Sequence, residues 1–151
     1  MNIDVPLGPI LVTDDNPTDV FFLERRLKAA GITDPVLHLA DGLDFVHWFE
    51  RSQTAASADQ PRLWLMFLDL KMPRMDGFEL LEWLQERRLL ERMTVIVLST
   101  SDEPSDVERV VRLGAQGHLV KYPRPSELAA VVEPARRRAA VTAALSGRED
   151  R

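Results

Sequence analysis

Acidic residues follow two apolar segments of the chain, where they could hold a metal ion. Asp14 and Asp15 follow the segment 9–12 after one residue, Thr13, and Asp69 comes directly after the segment 63–68. Carboxylates that converge on one point repel each other unless a cation lies among them. Oxygen ligands with room for water suit Mg²⁺. The pattern therefore favours a magnesium site, although any one of these acids alone would equally suit the cap of a loop.

A hydroxyl group and an ammonium group follow two further apolar segments. Ser99 comes after the segment 94–98, and Lys121 comes after the segment 117–120. Mg²⁺ and a lysine can neutralise the oxygens of a phosphoryl group, while a hydroxyl donates a hydrogen bond to another of them. A carboxylate can itself be the nucleophile and carry the group as an acyl phosphate. This set of residue types indicates phosphoryl transfer.

Apolar segments alternate with helical patterns in five β–α units. Strands are predicted near residues 9–12, 35–40, 63–68, 94–98 and 117–120, and helices near residues 17–30, 43–50, 78–88, 104–113 and from 126 onward. Such alternation predicts an α/β protein with a parallel sheet and helices on both faces. Ligands of these sheets bind outside the carboxyl ends of the strands. The acids, the serine and the lysine all lie at such ends.

The composition narrows the classes of partner. The chain has 151 residues, a net charge of −5 and no cysteine. An acidic chain is a poor candidate for binding nucleic acid, and the lack of cysteine excludes disulfides, thiol catalysis and Cys-ligated zinc. No apolar run approaches the ~20 residues that span a bilayer, and the first nine residues hold no Lys or Arg. We therefore expect a cytoplasmic protein that binds neither nucleic acid nor membrane.

Four motifs in this order resemble the receiver domains of response regulators. They are 12–17 (VTDDNP), 67–77 (FLDLKMPRMDG), 97–100 (VLST) and 120–121 (VK). The spacing agrees as well, with 30 residues from Asp69 to Ser99 and 22 from Ser99 to Lys121. The resemblance implies a flavodoxin-like (βα)5 fold, a doubly wound parallel sheet of five strands in the order 2-1-3-4-5. We assign residues 1–133 to the receiver domain and residues 134–151 to a C-terminal helical extension or tail.

The resemblance also implies a role for each acid at the site. Asp69 is the phosphoryl acceptor and takes the group from a phosphohistidine of a sensor histidine kinase. Asp15 and Asp69 bind Mg²⁺ together with the backbone carbonyl of Lys71. Asp14 contributes to this site directly or through water. The phosphate on the acceptor is itself the signal. We therefore expect that the protein is not an enzyme in the usual sense and that it removes its own phosphate slowly at most.

The residues that report phosphorylation depart from the family in two places. The family implies that Lys121 pairs with the acceptor before phosphorylation, and that Ser99 moves to the phosphoryl group and shifts the population between two states. The switch aromatic of the family is replaced by His118, which could rotate in the same way and add sensitivity to pH. The family usually has a cis proline directly after the lysine, whereas Tyr122 precedes Pro123 here. Because a cis bond before a residue other than proline costs about 2.5–4 kcal/mol, we expect a trans bond after Lys121.

Several features point to protein partners. The segments 15–19, 51–61 and 98–101 resemble single-domain regulators that are paired with bacterial phytochrome kinases. The resemblance implies that the kinase docks on the first helix. Phe22 lies on this helix and points away from its apolar side. Exposed aromatic residues often dominate binding. We therefore hypothesise that Phe22 contacts the kinase. Pro134 interrupts the apolar pattern of the last helix and predicts a kink there. The stretch after it is predicted to be either a frayed tail or an arm of a homodimer that forms through the fourth helix, last strand and last helix.

The sequence argues against two other functions, a phosphatase and a flavin or dinucleotide binder, and leaves a further alternative open. A haloacid-dehalogenase-type phosphatase also uses a nucleophilic Asp and Mg²⁺, but it needs a second Asp where this chain has Lys71. A flavin or dinucleotide site needs a glycine-rich first turn, and this chain has Asp15 and Asn16 there instead. A receiver fold that serves as an interaction module without phosphorylation, or as a phosphate sink in a relay, stays open.

Overall fold

In the computed structural model, five β–α units make up the described part of the chain, which is residues 7–56, 60, 62–100 and 103–149. The strands are β1 (Ile10–Thr13), β2 (Val36–Leu39), β3 (Leu65–Asp69), β4 (Thr94–Ser99) and β5 (Gly117–Val120). The helices are α1 (Pro17–Ala29), α2 (Gly42–Ser52), α3 (Gly77–Glu86), α4 (Pro104–Arg112) and α5 (Pro125–Glu149), with a short 3-10 helix at Leu89–Glu91. Some residues named above lie outside this described part. They belong to the segments 51–61 and 98–101, to the start of the assigned receiver domain 1–133 and to the end of the assigned extension 134–151.

The five strands pair in parallel in the order β2-β1-β3-β4-β5, which confirms the predicted fold. β1 and β4 are buried along their whole length, and only the last residue of β3 is not, as expected of central strands covered on both faces. The strand order reverses between β1 and β3, so the crevice of the fold opens at their carboxyl ends. Ser99 pairs with Val120 across β4 and β5, which places Lys121 beside the serine.

Two apolar cores fill the two faces of the sheet. One core packs α2, α3 and α4 against the sheet through residues such as Phe45, Leu80 and Val110. The other packs α1 and α5 through residues such as Leu23 and Leu128. Among the helices of the described segments, none is both long enough and apolar enough to cross a membrane.

Side-chain caps begin the helices that border the crevice. The side chain of Asn16 accepts hydrogen bonds from the backbone N–H groups of Thr18 and Asp19, and Pro17 takes the first helical position of α1. Asp76 and Glu79 form a reciprocal capping box at the start of α3. These caps fix α1 and α3 immediately after the segments that carry the acidic residues.

The last helix continues through Pro134, where the sequence predicts an interruption or kink. α5 runs continuously from Pro125 to Glu149 with the proline inside it. Ala135 and Ala139 are only 2% and 8% exposed and belong to the core beneath α5. Ala135 and Ala139 are one helical turn apart, and their burial holds the chain after Pro134 in helical geometry, although the proline donates no backbone hydrogen bond.

Two arginines beyond Pro134 also bind to the rest of the domain. Arg136 forms an ion pair with Asp34 at 2.6 Å. Arg138 donates hydrogen bonds to the backbone oxygens of Leu90 and Met93 at 2.6 and 3.0 Å. The division that we drew after residue 133 therefore falls inside one packed helix.

Candidate functional site

Three carboxylates meet at the carboxyl ends of β1 and β3. Asp14, Asp15 and Asp69 each offer one oxygen, and these oxygens lie within 4.8 Å of one another. The side chains of Asp14 and Asp69 are 6% and 11% exposed, whereas Asp15 is exposed to solvent. Oxygen ligands at this separation, with one side open to water, fit Mg²⁺. The three acids that the sequence indicated therefore come together as a possible metal site.

A cavity of about 250 Å³ lies over these acids. Its lining includes Asp15, Asp69, Lys71, Ser99 and Lys121. Two of the acids, the hydroxyl and the ammonium group that the sequence singled out thus face one space. Phosphoryl transfer requires this grouping of a nucleophile, a cation site and hydrogen-bond donors.

Lys121 is buried among carboxylates. Its Nζ lies 2.9 Å from Asp14 Oδ2, 2.9 Å from Asp19 Oδ2 and 3.4 Å from Asp69 Oδ1. Burial alone would lower the pKa of Lys121, but its hydrogen bonds to Asp19 and Asp14 raise that pKa above its ordinary value. The lysine is therefore charged, and its shorter contacts are to Asp14 and Asp19 rather than to Asp69.

Asp19 is a site residue that the sequence reasoning missed. It occupies the third position of α1, and the turn of that helix brings its carboxylate back over the end of β5. Burial would raise the pKa of Asp19, but hydrogen bonds from Lys121 and Tyr122 lower it. No local signal in the sequence marks this contact, because it depends on how α1 lies against the end of β5.

The pKa of the Asp69 carboxyl is raised to about 6. Its burial is the largest cause, and the negative charge of Asp14 adds to it. Lys121 opposes both effects without cancelling them. A cation at this position would favour the charged carboxylate, so the ionisation of Asp69 would be electrostatically linked to the binding of an ion.

The two predicted switch residues are in contact. Ser99 Oγ lies 3.3 Å from His118 Nε2, and the serine is 5% exposed. His118 pairs with Val97 in the neighbouring strand, so its side chain lies on the same side of the sheet edge as that of Ser99. The sequence named both residues as switch residues without predicting this contact, and the switching itself stays a prediction.

The peptide bond between Lys121 and Tyr122 is cis, so our expectation of a trans bond is wrong. Contacts on both sides define the geometry of this bond. The backbone N–H of Lys121 donates to the carbonyl of Ser99 at 2.9 Å, and the hydroxyl of Tyr122 donates to Asp19 Oδ1 at 2.8 Å. Uncommon backbone conformations persist where surrounding contacts determine them in this way.

The loop between β3 and α3 is tied to α2 by contacts that the sequence did not indicate. Arg74 has a φ of 63° and forms ion pairs with Asp41 at 2.8 Å and Asp44 at 2.7 Å. Asp41 is itself the cap of α2. The backbone N–H of Gly42 donates to the carbonyl of Met75 at 3.0 Å. Both ties hold the loop that carries the predicted metal-binding carbonyl of Lys71, whose role stays a prediction.

Three exposed aromatic residues form a surface beside the site. Phe21, Phe22 and Tyr122 are 55%, 44% and 50% exposed, and we call them the aromatic patch. The rings of Phe22 and Tyr122 lie 6.1 Å apart between centroids, and those of Phe21 and Phe22 lie 5.9 Å apart. The predicted exposure of Phe22 is confirmed, while its contact with a kinase stays a prediction.

Comparison with known proteins yields one family. The model of the response regulator receiver domain matches residues 10–133. Response regulator Rcp1 of Synechocystis sp. is 30% identical over 128 residues, which cover 85% of this chain and 86% of that protein.

Solved structures agree with this match. The phosphorylated cyanobacterial phytochrome response regulator RcpA is 26% identical with a TM-score of 0.65, and the match covers 85% of this chain and 91% of that one. The receiver domain of sensor histidine kinase PA1611 from Pseudomonas aeruginosa PAO1 has a magnesium ion coordinated in its active-site cleft. It is 23% identical with a TM-score of 0.67, and the match covers 85% of this chain and 97% of that one, which shows a shared fold.

Proposed function

The chain belongs to the response regulator receiver domain family, and we propose that its Asp69 accepts a phosphoryl group from a histidine kinase in a Mg²⁺-dependent reaction. The observation that carries this proposal is the convergence of acids, a hydroxyl and a buried ammonium group on one cavity. A carboxylate of Asp69 attacks phosphorus, a new O–P bond forms, and the P–N bond of the phosphohistidine breaks. The imidazole leaves with the electron pair of that bond.

The residues around Asp69 have distinct parts in this reaction. Asp15, Asp69 and the Lys71 carbonyl would hold Mg²⁺, with Asp14 directly or through water. The ion, when bound, supplies positive charge to the phosphoryl oxygens. Lys121 neutralises a further oxygen because it is charged and borders the same cavity. We place this chemistry in the cytoplasm, as the composition led us to expect.

A change of hydrogen-bond partner at Ser99 is the proposed switch. Before phosphorylation, Ser99 Oγ contacts His118 Nε2 at 3.3 Å. Donation to a phosphoryl oxygen draws the hydroxyl toward Asp69 and frees His118 to rotate. The switch is a shift between two populations of the face formed by α4 and β5.

Phosphorylation can be tested with a small-molecule donor. Wild-type protein incubated with acetyl phosphate and Mg²⁺ should gain the mass of one phosphoryl group, and Asp69→Asn should gain none. Chelation of Mg²⁺ should abolish the gain in wild type because the acceptor then lacks its cation. No gain in either protein would instead favour an interaction module that works without phosphorylation.

We propose a bacterial phytochrome kinase as the partner, because RcpA is described as a phytochrome response regulator and is similar over 85% of this chain. Phe22 on α1 is the proposed contact, since its ring is 44% exposed beside the site. Phe22→Ala should slow transfer from the kinase while sparing labelling by acetyl phosphate. Val141→Ala, an exposed apolar control on α5, should change neither rate. Equal loss of both reactions in Phe22→Ala would contradict the docking role.

We also propose a homodimer through α4, β5 and α5. Each of these elements carries an exposed apolar side chain: Val111 on α4, Val120 on β5, and Val141 with Leu145 on α5. These four residues are 44–60% exposed. β5 is the last strand in the order of the sheet, and an edge strand offers unpaired backbone groups to a partner.

A further inference from the structure

Asp19 connects the phosphoryl site to the aromatic patch. Its Oδ2 atom accepts from Lys121 Nζ at 2.9 Å, and its Oδ1 atom accepts from the hydroxyl of Tyr122 at 2.8 Å. The Asp19 side chain is only 13% exposed, whereas Tyr122 is 50% exposed. One carboxylate therefore contacts both the lysine of the site and an exposed tyrosine.

We propose that Asp19 is a positioning residue that holds Lys121 back from Asp69 before phosphorylation, and that the move of Lys121 to the phosphoryl group releases Asp19 and Tyr122. This inference rests on the proposed phosphorylation of Asp69. It assigns to this chain a second connection from the site to the surface, separate from Ser99 and His118.

The contacts of Lys121 indicate which of its bonds would lengthen if it moves toward Asp69. The ammonium has three N–H donors, and its two contacts at 2.9 Å are to Asp14 and Asp19, while Asp69 lies 3.4 Å away. Asp14 is anchored, because it directly follows β1 and its Oδ1 accepts from the N–H of Asn16 at 2.9 Å. Asp19 is the partner that gives way, because its other bond is to the exposed side chain of Tyr122.

Charge favours this movement. Four carboxylates lie at this site or against its lysine, namely Asp14, Asp15, Asp19 and Asp69, and Lys121 is the ammonium among them. A phosphoryl group on Asp69 adds negative charge close to Lys121, whose Nζ lies 3.4 Å from Asp69 Oδ1. The ammonium is then attracted more strongly toward the acceptor, and its bond to Asp19 weakens.

Release of Asp19 would reach the surface through aromatic contacts. Tyr122 contacts the ring of Phe22 edge-on at 6.1 Å, and Phe22 contacts Phe21 at 5.9 Å. The hydroxyl bond to Asp19 and the edge-on contact with Phe22 both restrain the Tyr122 ring. Loss of the hydroxyl bond should change the aromatic patch, and with it the surface that α1 presents to a partner.

The single tyrosine of the sequence gives a direct readout. Full-length protein labelled with 3-fluorotyrosine should give one ¹⁹F resonance, and acetyl phosphate with Mg²⁺ should shift it in wild type but not in Asp69→Asn. Mass measured on the same samples reports phosphorylation independently. Wild type that gains the phosphoryl mass while its resonance stays in place overturns the inference and leaves the proposed function intact. Wild type that gains no mass overturns both.

The rate of phosphorylation tests the restraint on Lys121. Asp19→Asn weakens the charge-assisted bond to the lysine, so the maximal rate with acetyl phosphate should rise roughly threefold to tenfold. The half-saturating donor concentration should stay unchanged. Asp106→Asn is the matched control, because it removes a carboxylate that lines the same cavity, and it should change the rate less than about twofold.

Tyr122→Phe provides a second variant that keeps the exposed ring and the carboxylate of Asp19. It should raise the maximal rate by less than Asp19→Asn, because Asp19 loses one anchor but keeps its charge. A purely structural role of Asp19 predicts the opposite sign, since a loosened site would slow the reaction. Unchanged or slower phosphorylation in both variants overturns the inference.

Discussion

The acceptor carboxylate and its lysine depend on each other for their charge. Asp69 is buried beside Asp14, and these surroundings raise its pKa to about 6. Lys121 reduces this effect from 3.4 Å but also binds Asp14 and Asp19. The carboxylates of Asp14, Asp19 and Asp69 all contact the ammonium group of Lys121. The ionisation of Asp69, and therefore its reactivity, depends on how strongly Lys121 and a bound cation offset the negative charge around it.

The raised pKa of Asp69 predicts a dependence of stability on pH in the absence of Mg²⁺. Between pH ~4 and pH ~6, folded Asp69 retains a proton that the unfolded chain has released, so its contribution to stability falls as the pH rises. Above pH ~6 the folded state holds a poorly solvated charge. Asp69→Asn removes this penalty and should stabilise the protein by about 2 kcal/mol at pH 7.5.

Urea unfolding in the presence of a chelator measures this effect. The difference between Asp69→Asn and wild type should shrink toward pH 4.5 and should also shrink when Mg²⁺ is added at pH 7.5. Asp106→Asn serves as a control for the loss of one carboxylate at the cavity. Equal stability of Asp69→Asn and wild type at pH 7.5 without Mg²⁺ would contradict the electrostatic account of the site.

Residue types at strand ends could be predicted from the sequence, and contacts between elements could not. Asp14, Asp69 and Lys121 were recognisable because an apolar strand that ends in a charged residue must deliver it to one edge of a parallel sheet. Asp19 was missed because its contact with Lys121 depends on how α1 lies against β5, which no local pattern encodes. The cis bond before Tyr122 was missed for the same reason, because the contacts that define it come from Asp19 and Ser99.

Among the elements, α5 shows how tertiary contacts override a local breaker. A proline inside a helix costs about 3 kcal/mol because it lacks an N–H group and crowds the preceding turn. The sequence around Pro134 therefore indicated an interruption of the helix at that residue. The contacts of Ala135, Arg136 and Arg138 with the rest of the domain outweigh that local preference and could not be inferred from helical periodicity.

Among the residues of α5, we expect substitution of Arg138 to lower the stability of the protein most. Its guanidinium donates to the backbone oxygens of Leu90 and Met93 and to Thr94 Oγ1. Arg138→Met leaves these acceptors without their donor and should destabilise the protein by about 1–3 kcal/mol in urea unfolding. Arg137→Met, at the exposed neighbouring position, should change stability by less than about 0.5 kcal/mol. Similar effects of the two substitutions would contradict a role for Arg138 in holding α5.

At the scale of the whole molecule, the fold follows from the alternation of strands and helices and from the motifs at the strand ends. The order β2-β1-β3-β4-β5 was predicted as a consequence of the family resemblance and is confirmed. The state of assembly depends instead on surface residues whose exposure only the folded chain defines. α4, β5 and α5 all carry such residues, and the first residues beyond Pro134 belong to the core of the domain.

The proposed homodimer can be tested without disturbing that core. Val141 and Leu145 are 60% and 55% exposed and lie one helical turn apart on α5. Val141→Asp combined with Leu145→Asp should shift the protein from dimer to monomer in sedimentation velocity, because the new charges would be buried in the interface. Phe21→Asp, an exposed site on α1, should leave the assembly unchanged. An unchanged sedimentation profile in the double variant would argue against the participation of α5.

The two walls of the phosphoryl site differ in how much sequence variation they can accept. On the α2 and α3 side, backbone lies against backbone: a Cβ atom on Gly77 would come 2.5 Å from the Asp69 carbonyl oxygen, and one on Gly42 would come 2.8 Å from that of Met75. On the α1 and β5 side, the contacts are made by the side chains of Asp19, Tyr122 and Phe22. Substitution is therefore sterically limited at Gly42 and Gly77, whereas the α1 side depends on side-chain contacts that substitutions can alter without moving the backbone.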